Sequence, residues 1–392
     1  MAIDSEDVLR NSVSNSAFEY IDQQSGLDRL TERALRSDCV ALDTEANSLH
    51  NYYERVCLLQ LSMGEMHFVL DPLSDLELSP FLEVLRSKDL IIHGADYDLR
   101  LMRSTFDFTP EGEVFDTMLA AQLLGIERFG YAALVEHFFD VKLSKAGQKS
   151  NWARRPLTEA QLRYASDDTR YLGPLADLLR EELKSQGRAG WHGESCRKMI
   201  AATRQSNARD LDGAWRLRGL GQLEGRDLAF VRELWKWREA EAQKADRPPF
   251  KIMGNQQLIE LAQWASAHAD KPVTQGPRLP RHCDGGRLRA LESAIRCAER
   301  LPKSKWPEKH KRREAPGLRG NDSKRQLEAV RSACAALAHE LDIPTSVLAP
   351  KATLVSIVRA KACTPEEMKA CSGMMDWQVE LLKDAIAGVL NK

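Results

Sequence analysis

Asp43 and Glu45 stand two residues apart in the run Asp-Cys-Val-Ala-Leu-Asp-Thr-Glu-Ala that covers 38–46. A strand turns successive side chains to opposite faces, so this spacing puts both carboxylates on one face and Leu42 and Thr44 on the other. Alone, such a pair reads as a solvated strand end. His93-Gly94-Ala95-Asp96-Tyr97-Asp98 leaves an apolar run and enters a helical pattern. Asp98 then falls in the first helical turn, at the sheet edge where open α/β folds gather ligands. Asp96, nearer the helix start, reads as a cap. Tyr164 and Asp168 are four residues apart and share a helix face, while Asp167 points roughly 100° away. Four carboxylates converging from a strand edge and two helices do not all stay ionised without cations. An all-oxygen donor set suits Mg2+ or Mn2+ rather than zinc. Two such ions, roughly 4 Å apart, would clamp an in-line phosphoryl displacement.

These residues need elements to hold them. Strand patterns fall at 38–43, 56–62, 66–70, 90–93 and 114–115, with Met63, Gly64 and Glu65 as a hairpin turn. Helical patterns intervene at 76–87, 96–105, 117–124 and 131–139. Alternation of this kind implies an α/β layer fold, and the opening hairpin implies a mixed sheet. Residues 158–184 predict one long helix, opened by the capping box Thr158-Glu159-Ala160-Gln161 and ended by Gly187 and Gly190. Beyond about 200 the strand signal stops. Helices are predicted at 223–244 and 255–268, separated by Pro248-Pro249, and 302–320 has the Pro, Gly and charge content of a mobile linker. The expected organisation is an α/β domain over 1–200, a helical domain over 201–301, a basic linker over 302–320 and a second helical domain over 321–392. Trp235 reads as helical core.

The 392 residues carry 56 Lys+Arg against 57 Asp+Glu, a net charge of −1. This near-neutrality is a sum of opposites. Residues 1–200 hold 22 basic and 33 acidic side chains, and 201–392 hold 34 and 24. The second half is densest in positive charge over 271–320, with 14 basic and 5 acidic residues. A cation site and a polyanion-attracting surface are expected in one molecule. Lys309, Lys311, Arg312 and Arg313, with Trp306 among the basic residues, are candidates for phosphate contacts and base stacking, or else form a plain solvated linker. The 8 Cys include no C-x-x-C pair, and Cys39 and Cys57 read as small core residues. A reduced cytoplasmic setting is expected, without a signal peptide or membrane span. No P-loop motif is present, so no nucleotide cofactor is expected.

Asp43-x-Glu45, His93-Gly94-x-x-x-Asp98 and Tyr164-x-x-x-Asp168, in that order, resemble the three motifs of the DEDD exonucleases, tyrosine subclass, and within it the ribonuclease D family. The run Asn151-Trp152-Ala153-Arg154-Arg155-Pro156-Leu157-Thr158, Leu59-Gln60-Leu61 and Asp116-Thr117 share that resemblance. Arg247-Pro248-Pro249-Phe250-Lys251-Ile252 with Leu258-Ile259 is similar to the HRDC helical domain, and Ile343 with Val347-Leu348-Ala349 is a weaker second match. Ala46 stands where the family often has a bulky residue, and Asn151 where it usually has Asp.

The resemblance implies a ribonuclease H-like exonuclease domain followed by two HRDC-type bundles. It implies a 3′–5′ exoribonuclease using two divalent cations, Mg2+ or Mn2+, and releasing 5′-mononucleotides. The implied substrate is RNA with a single-stranded 3′ end, such as a tRNA precursor, met by a monomer. Asp43 would bridge both metals, Glu45 and Asp168 would complete the nucleophile-side site, Asp98 would hold the second ion, and Tyr164 would orient the attacking water. A 3′–5′ DNA exonuclease and a non-catalytic RNA-binding scaffold are the alternatives. The scaffold predicts loss of at least one acid, and all four are present.

Overall fold

Val56 to Met63 is buried at every position, as a strand covered on both faces must be. It pairs antiparallel with Met66–Leu70 across the turn at Gly64, whose φ of 61° lies in the left-handed region open to glycine. The computed structural model describes residues 18–204, 213–268, 270–308 and 321–391. They form two compact units, one from the described parts of 18–46, 56–204 and 321–391, the other from 47–55 and the described parts of 213–308.

The first unit begins with β1 (Phe18–Ile21), α1 (Gln24–Leu35), β2 (Cys39–Ala46), β3 (Val56–Met63), β4 (Met66–Leu70), α2 (Ser79–Arg86), β5 (Asp89–Ile92), α3 (Asp96–Phe106) and β6 (Val114–Asp116). α4 (Thr117–Leu123), α5 (Tyr131–Phe139), α6 (Glu159–Arg170), α7 (Leu172–Ser185) and α8 (Ala189–Thr203) follow. The sheet order is β1-β4-β3-β2-β5-β6. β2 runs antiparallel to β3 and parallel to β5, so the sheet is mixed. One face packs on α1, α2 and α3 through Leu30, Leu42, Leu61, Phe81 and Leu99. On the other, Cys57, Leu58 and Val69 meet Trp152 and Ala165.

The long helix expected over 158–184 is two helices, broken at Tyr171. Pro174 has no N–H to give, and its ring would strike the carbonyl of Arg170, so a new helix starts with Pro174 in its first turn. β1 was not anticipated; it pairs parallel with β4 along Phe18–Ile21. Cys57 is core as expected, whereas Cys39 is exposed at the start of an inner strand.

The second unit contains α9 (Gly225–Lys244), α10 (Pro249–Ile252), α11 (Asn255–Ala267) and α12 (Gly285–Arg300). Trp235 and Trp237 are both buried in its core beside Phe230, Leu258 and Leu291.

The last helices, α13 (Asn321–Glu340), α14 (Thr345–Leu348), α15 (Lys351–Ala360), α16 (Pro365–Ser372) and α17 (Asp376–Leu390), return to the first unit. They share one core with the sheet's helices: Leu123, Leu134, Leu175 and Leu179 pack with Val330, Leu354, Ile357 and Leu382. Arg188 joins the two parts, donating to the Leu123 carbonyl at 2.7 Å and the Leu341 carbonyl at 2.6 Å. Trp191 stacks on Trp377 with ring centroids 4.8 Å apart. The segment expected as a second helical domain over 321–392 shares, in its described residues, one core with the α/β domain.

Candidate active site

Asp43 and Glu45 lie on one face of β2, paired in register with Gln60 and Leu58. The register shifts at a bulge between Glu45 and Ala46, and Ala46, paired with Val56, is the last rung of the ladder. Thr44 faces the other way, and there its hydroxyl donates to the Asp98 carboxylate at 2.5 Å. Asp98 is buried in the first turn of α3. It approaches the strand end from one side of the sheet while α6 covers the other.

The α3 start is fixed by Asp116. Its carboxylate accepts the amides of Gly94 (3.0 Å) and Ala95 (2.9 Å), and also those of Met118 and Leu119 at the head of α4. Gly94 sits at φ 74°, so the turn leading into Asp98 suits glycine. Asp96 points outward and pairs with Arg100 at 3.0 Å.

α6 carries Tyr164 and Asp168. It opens with the expected capping box: Gln161 N–H donates to the Thr158 hydroxyl and Thr158 N–H to the Gln161 side chain. Its far end is seated by Thr169, whose hydroxyl bonds Ser62 at 2.8 Å, and Ser62 bonds His67 at 2.8 Å. The preceding run is pinned by Arg155, which grips the buried Asp71 carboxylate and donates to the carbonyls of Trp152 (2.6 Å) and Cys57 (3.0 Å). Tyr20 donates to the same carboxylate at 2.6 Å. Asp167 pairs with Arg170 at 3.4 Å.

The four acids share one electrostatic field. Burial pushes the Asp43 carboxyl well above the usual range, and Asp98, Asp168 and Glu45 push it further. Burial raises Glu45 to about 9, with Asp168 and Asp98 adding to it. Asp168 is raised by burial and by Asp167, and lowered by its bond from Tyr164. Asp98 is raised by burial and held back by the Thr44 hydroxyl. The Tyr164 phenol is raised by burial and then by Asp168, Glu45 and Asp43, so it is a protonated donor at neutral pH. Tyr131 lies in the same field: burial raises it most, with Asp168 and Asp43 contributing. Its hydroxyl donates to the Asp167 carbonyl at 3.1 Å and accepts the Tyr171 amide at 3.2 Å.

Among the described residues, no three His, Cys, Asp or Glu side chains already form a cage for an ion. Left to themselves these buried acids favour their protonated forms, and a cation would be needed to hold them ionised together. The donors of the site are all carboxylate oxygens, which fit hard divalent cations.

The residues expected to bind nucleic acid are distributed differently. Lys309, Lys311, Arg312 and Arg313 lie outside the described residues. Trp306 belongs to the second unit, where its indole N–H donates to the Leu301 carbonyl at 3.0 Å and its ring lies against Gly225. Sequence reasoning missed Thr44, Tyr131, Gly147 and the Asp71–Arg155 pair. Only Arg155 carried a signal, as part of the run around Trp152.

Residues 18–184 match the 3′–5′ exonuclease domain family, and 227–270 and 323–390 match the HRDC domain. Ribonuclease D of Xanthomonas oryzae pv. oryzae is 30% identical over 338 residues, spanning 85% of this chain and 90% of that protein. Ribonuclease D of Pseudomonas paraeruginosa is 34% identical over 277 residues, spanning 69% and 71%. Among solved structures, Escherichia coli RNase D, described as an exoribonuclease involved in structured RNA processing, matches with a TM-score of 0.66 at 24% identity, over 96% of this chain and 99% of that one. A Bifidobacterium adolescentis protein matches at 0.81 and 23% identity, over 95% and 97%. These two likenesses show a common fold.

Proposed function

This chain belongs to the ribonuclease D family of 3′–5′ exonucleases, and from that premise we propose that it removes 5′-mononucleotides one at a time from the 3′ end of RNA with the help of two divalent cations, Mg2+ or Mn2+. Its natural substrates are then tRNA precursors and other structured RNAs with a single-stranded 3′ end, processed in the cytoplasm by a monomer. Among the described residues no helix is long and apolar enough to cross a membrane. The observation that carries the reading is the convergence of Asp43, Glu45, Asp98 and Asp168 in one field, where burial raises each carboxyl and the other acids raise Asp43 and Glu45 further.

Asp43, Glu45, Asp98 and Asp168 would hold the ions. When bound, the cations supply the Lewis acidity that eases attack on the phosphodiester and stabilises the departing 3′ oxygen. The protein's own groups do the positioning. Tyr164 keeps its proton, because burial and three acids disfavour the phenolate. With that proton given to Asp168, the phenol oxygen is left to accept from the attacking water, which it orients without acting as a base. Thr44 holds the Asp98 carboxylate in one orientation. Tyr131, protonated for the same reasons as Tyr164, braces the α6–α7 junction behind Asp168.

The test is an assay of one RNA labelled at its 3′ or its 5′ end, with and without EDTA. Immediate release of labelled mononucleotide from the 3′-labelled RNA, a ladder from the 5′-labelled RNA, and loss of both in EDTA are expected. Intact RNA in Mn2+ or Mg2+ would overturn the reading. Matched RNA and DNA 3′ overhangs decide the sugar preference.

A further inference from the structure

Residues 47–55 leave β2 directly after Ala46, yet they pack within the helical unit. Asp246 fastens them there. Its carboxylate accepts from Asn51 Nδ2 (2.7 Å) and from the backbone amides of Tyr52 (3.0 Å) and Tyr53 (3.2 Å). Tyr52 donates to Glu239 at 3.2 Å, and its ring joins the core around Trp215 and Phe230. Gln243 donates to the Tyr53 hydroxyl at 2.8 Å, and Lys251 donates to His50 Nδ1 at 3.2 Å. Asn47 closes the loop on itself, donating to the Tyr53 carbonyl and accepting the Arg55 amide.

This packing leaves an unusual surface. Tyr53 and Phe250 are each 55% exposed, although each is a large ring within an ordered network of bonds. Tyr53 meets the Tyr52 ring at 80°, with centroids 5.2 Å apart, and more than half of its surface stays exposed. The exposed charges beside them are mostly positive, with Glu54 the exposed acid of the loop itself. Between 239 and 251 the acids Glu239 and Asp246 are taken by the loop and Glu241 by Arg287. Lys244, Arg247 and Lys251 remain as exposed cations. Open aromatic faces among exposed cations are what an unpaired nucleic-acid strand requires: stacking for bases, positive charge for phosphates.

We infer that loop 47–55 and the 244–251 corner on which it sits form a single-stranded RNA subsite, with Tyr53 and Phe250 stacking bases and Lys244, Arg247 and Lys251 meeting phosphates. The identity of the ligand rests on the exoribonuclease reading. Asp246 is a positioning residue for this subsite, since it sets the loop without facing the strand.

The experiment measures binding of a fluorescent oligoadenylate of about 20 nucleotides in EDTA, and hydrolysis of that RNA and of a trinucleotide in Mn2+. Tyr53→Ala and Phe250→Ala each weaken binding of the long RNA about fivefold or more. Lys251→Ala reduces the log–log salt slope by about 0.7. Trinucleotide hydrolysis stays at the wild-type rate, because so short a ligand fills only the catalytic end. Wild-type affinity for the long RNA in the Tyr53→Ala/Phe250→Ala double variant overturns the subsite and leaves the exoribonuclease reading intact. A wild-type protein that binds the RNA through these residues yet never cleaves it removes the catalytic reading and keeps the subsite. Equal loss on both substrate lengths also overturns it, since the residues would then act on the catalytic centre.

Discussion

No side chain fits between Gly147 and Tyr164: a Cβ added to Gly147 would lie 2.3 Å from Cγ of the phenol ring and 2.5 Å and 2.8 Å from its two Cδ atoms. The indole of Trp152 lies 5.9 Å from the same ring, centroid to centroid. Tyr164 therefore has a fixed place against bare backbone. Gly147→Ala must push the ring aside, and a shift of about 1 Å in a positioning group can cost about 100-fold in rate. We expect kcat on RNA to fall about 10–100-fold while RNA affinity stays within a factor of two. A variant with unchanged kcat would show that the ring position does not matter.

The cluster of acids predicts a dependence on cations that can be read without activity. Mn2+ or Mg2+ should raise the Tm of the wild-type protein, because an ion that binds only the folded state stabilises it. Asp43→Asn should lose both cleavage and that thermal shift, while keeping RNA affinity. Asp96→Asn and Asp167→Asn should keep most activity, since Asp96 pairs with Arg100 and Asp167 with Arg170. Inactivation by either would mean that the ligand set has been drawn wrongly. Differential scanning fluorimetry with and without EDTA, beside the labelled-RNA assay, separates these outcomes.

Asp71 and Arg155 predict an acid limit. Burial alone would raise the Asp71 carboxyl, but bonds from Arg155, Tyr20 and the Leu73 amide hold it below the usual range. A carboxyl depressed in the folded state contributes stability that is full above the unfolded value of about 3.9 and is lost as pH falls through the folded value. His67 acts earlier: burial, and then Arg170, lowers it to about 4. Between about 6.5 and 4 the unfolded chain takes up a proton that the folded chain refuses, so stability declines there too. Arg155→Met leaves a nearly buried carboxylate unpaired and should cost about 3 kcal/mol. Denaturant melts at pH 7 and pH 4 measure it, and the gap between variant and wild type should be smaller at pH 4, where the unpaired Asp71 of the variant takes up a proton that the Arg155-bound carboxyl refuses.

Neutralising Lys309, Lys311, Arg312 and Arg313 together should flatten the salt dependence of RNA binding by about 0.7 in log–log slope for each phosphate they neutralise in the wild-type complex. An unchanged slope reduces that stretch to a connector. Comparing it with Lys251→Ala tells which basic region carries the strand.

The catalytic pattern was legible because each piece follows a local period. Asp43 and Glu45 obey the strand repeat of two, Tyr164 and Asp168 the helical repeat of four, and both elements formed where the pattern put them. The hairpin at Gly64 and the capping box at Thr158 were legible for the same reason. What stayed hidden is long-range. Thr44 meets Asp98 across 54 residues and Arg155 meets Asp71 across 84, and no local period links them. Gly147 is a loop glycine like many others until the fold lays Tyr164 against it. The single helix expected at 158–184 failed on one residue, Pro174, whose missing N–H outweighed an otherwise unbroken pattern. The last helices looked self-sufficient because their own periodicity is sound; that they complete another core is a fact about Leu123 and Leu179, far upstream.

That shared core sets an order of events during synthesis. Leu123, Leu134, Leu175 and Leu179 leave the ribosome long before Leu354 and Leu382 exist to cover them. A growing chain therefore carries a bare apolar face on its nuclease half until the final helices arrive, the kind of surface that draws chaperones or aggregates. The helices from 321 onward thus act as a cover for the nuclease core, and a chain without them should melt at a lower Tm.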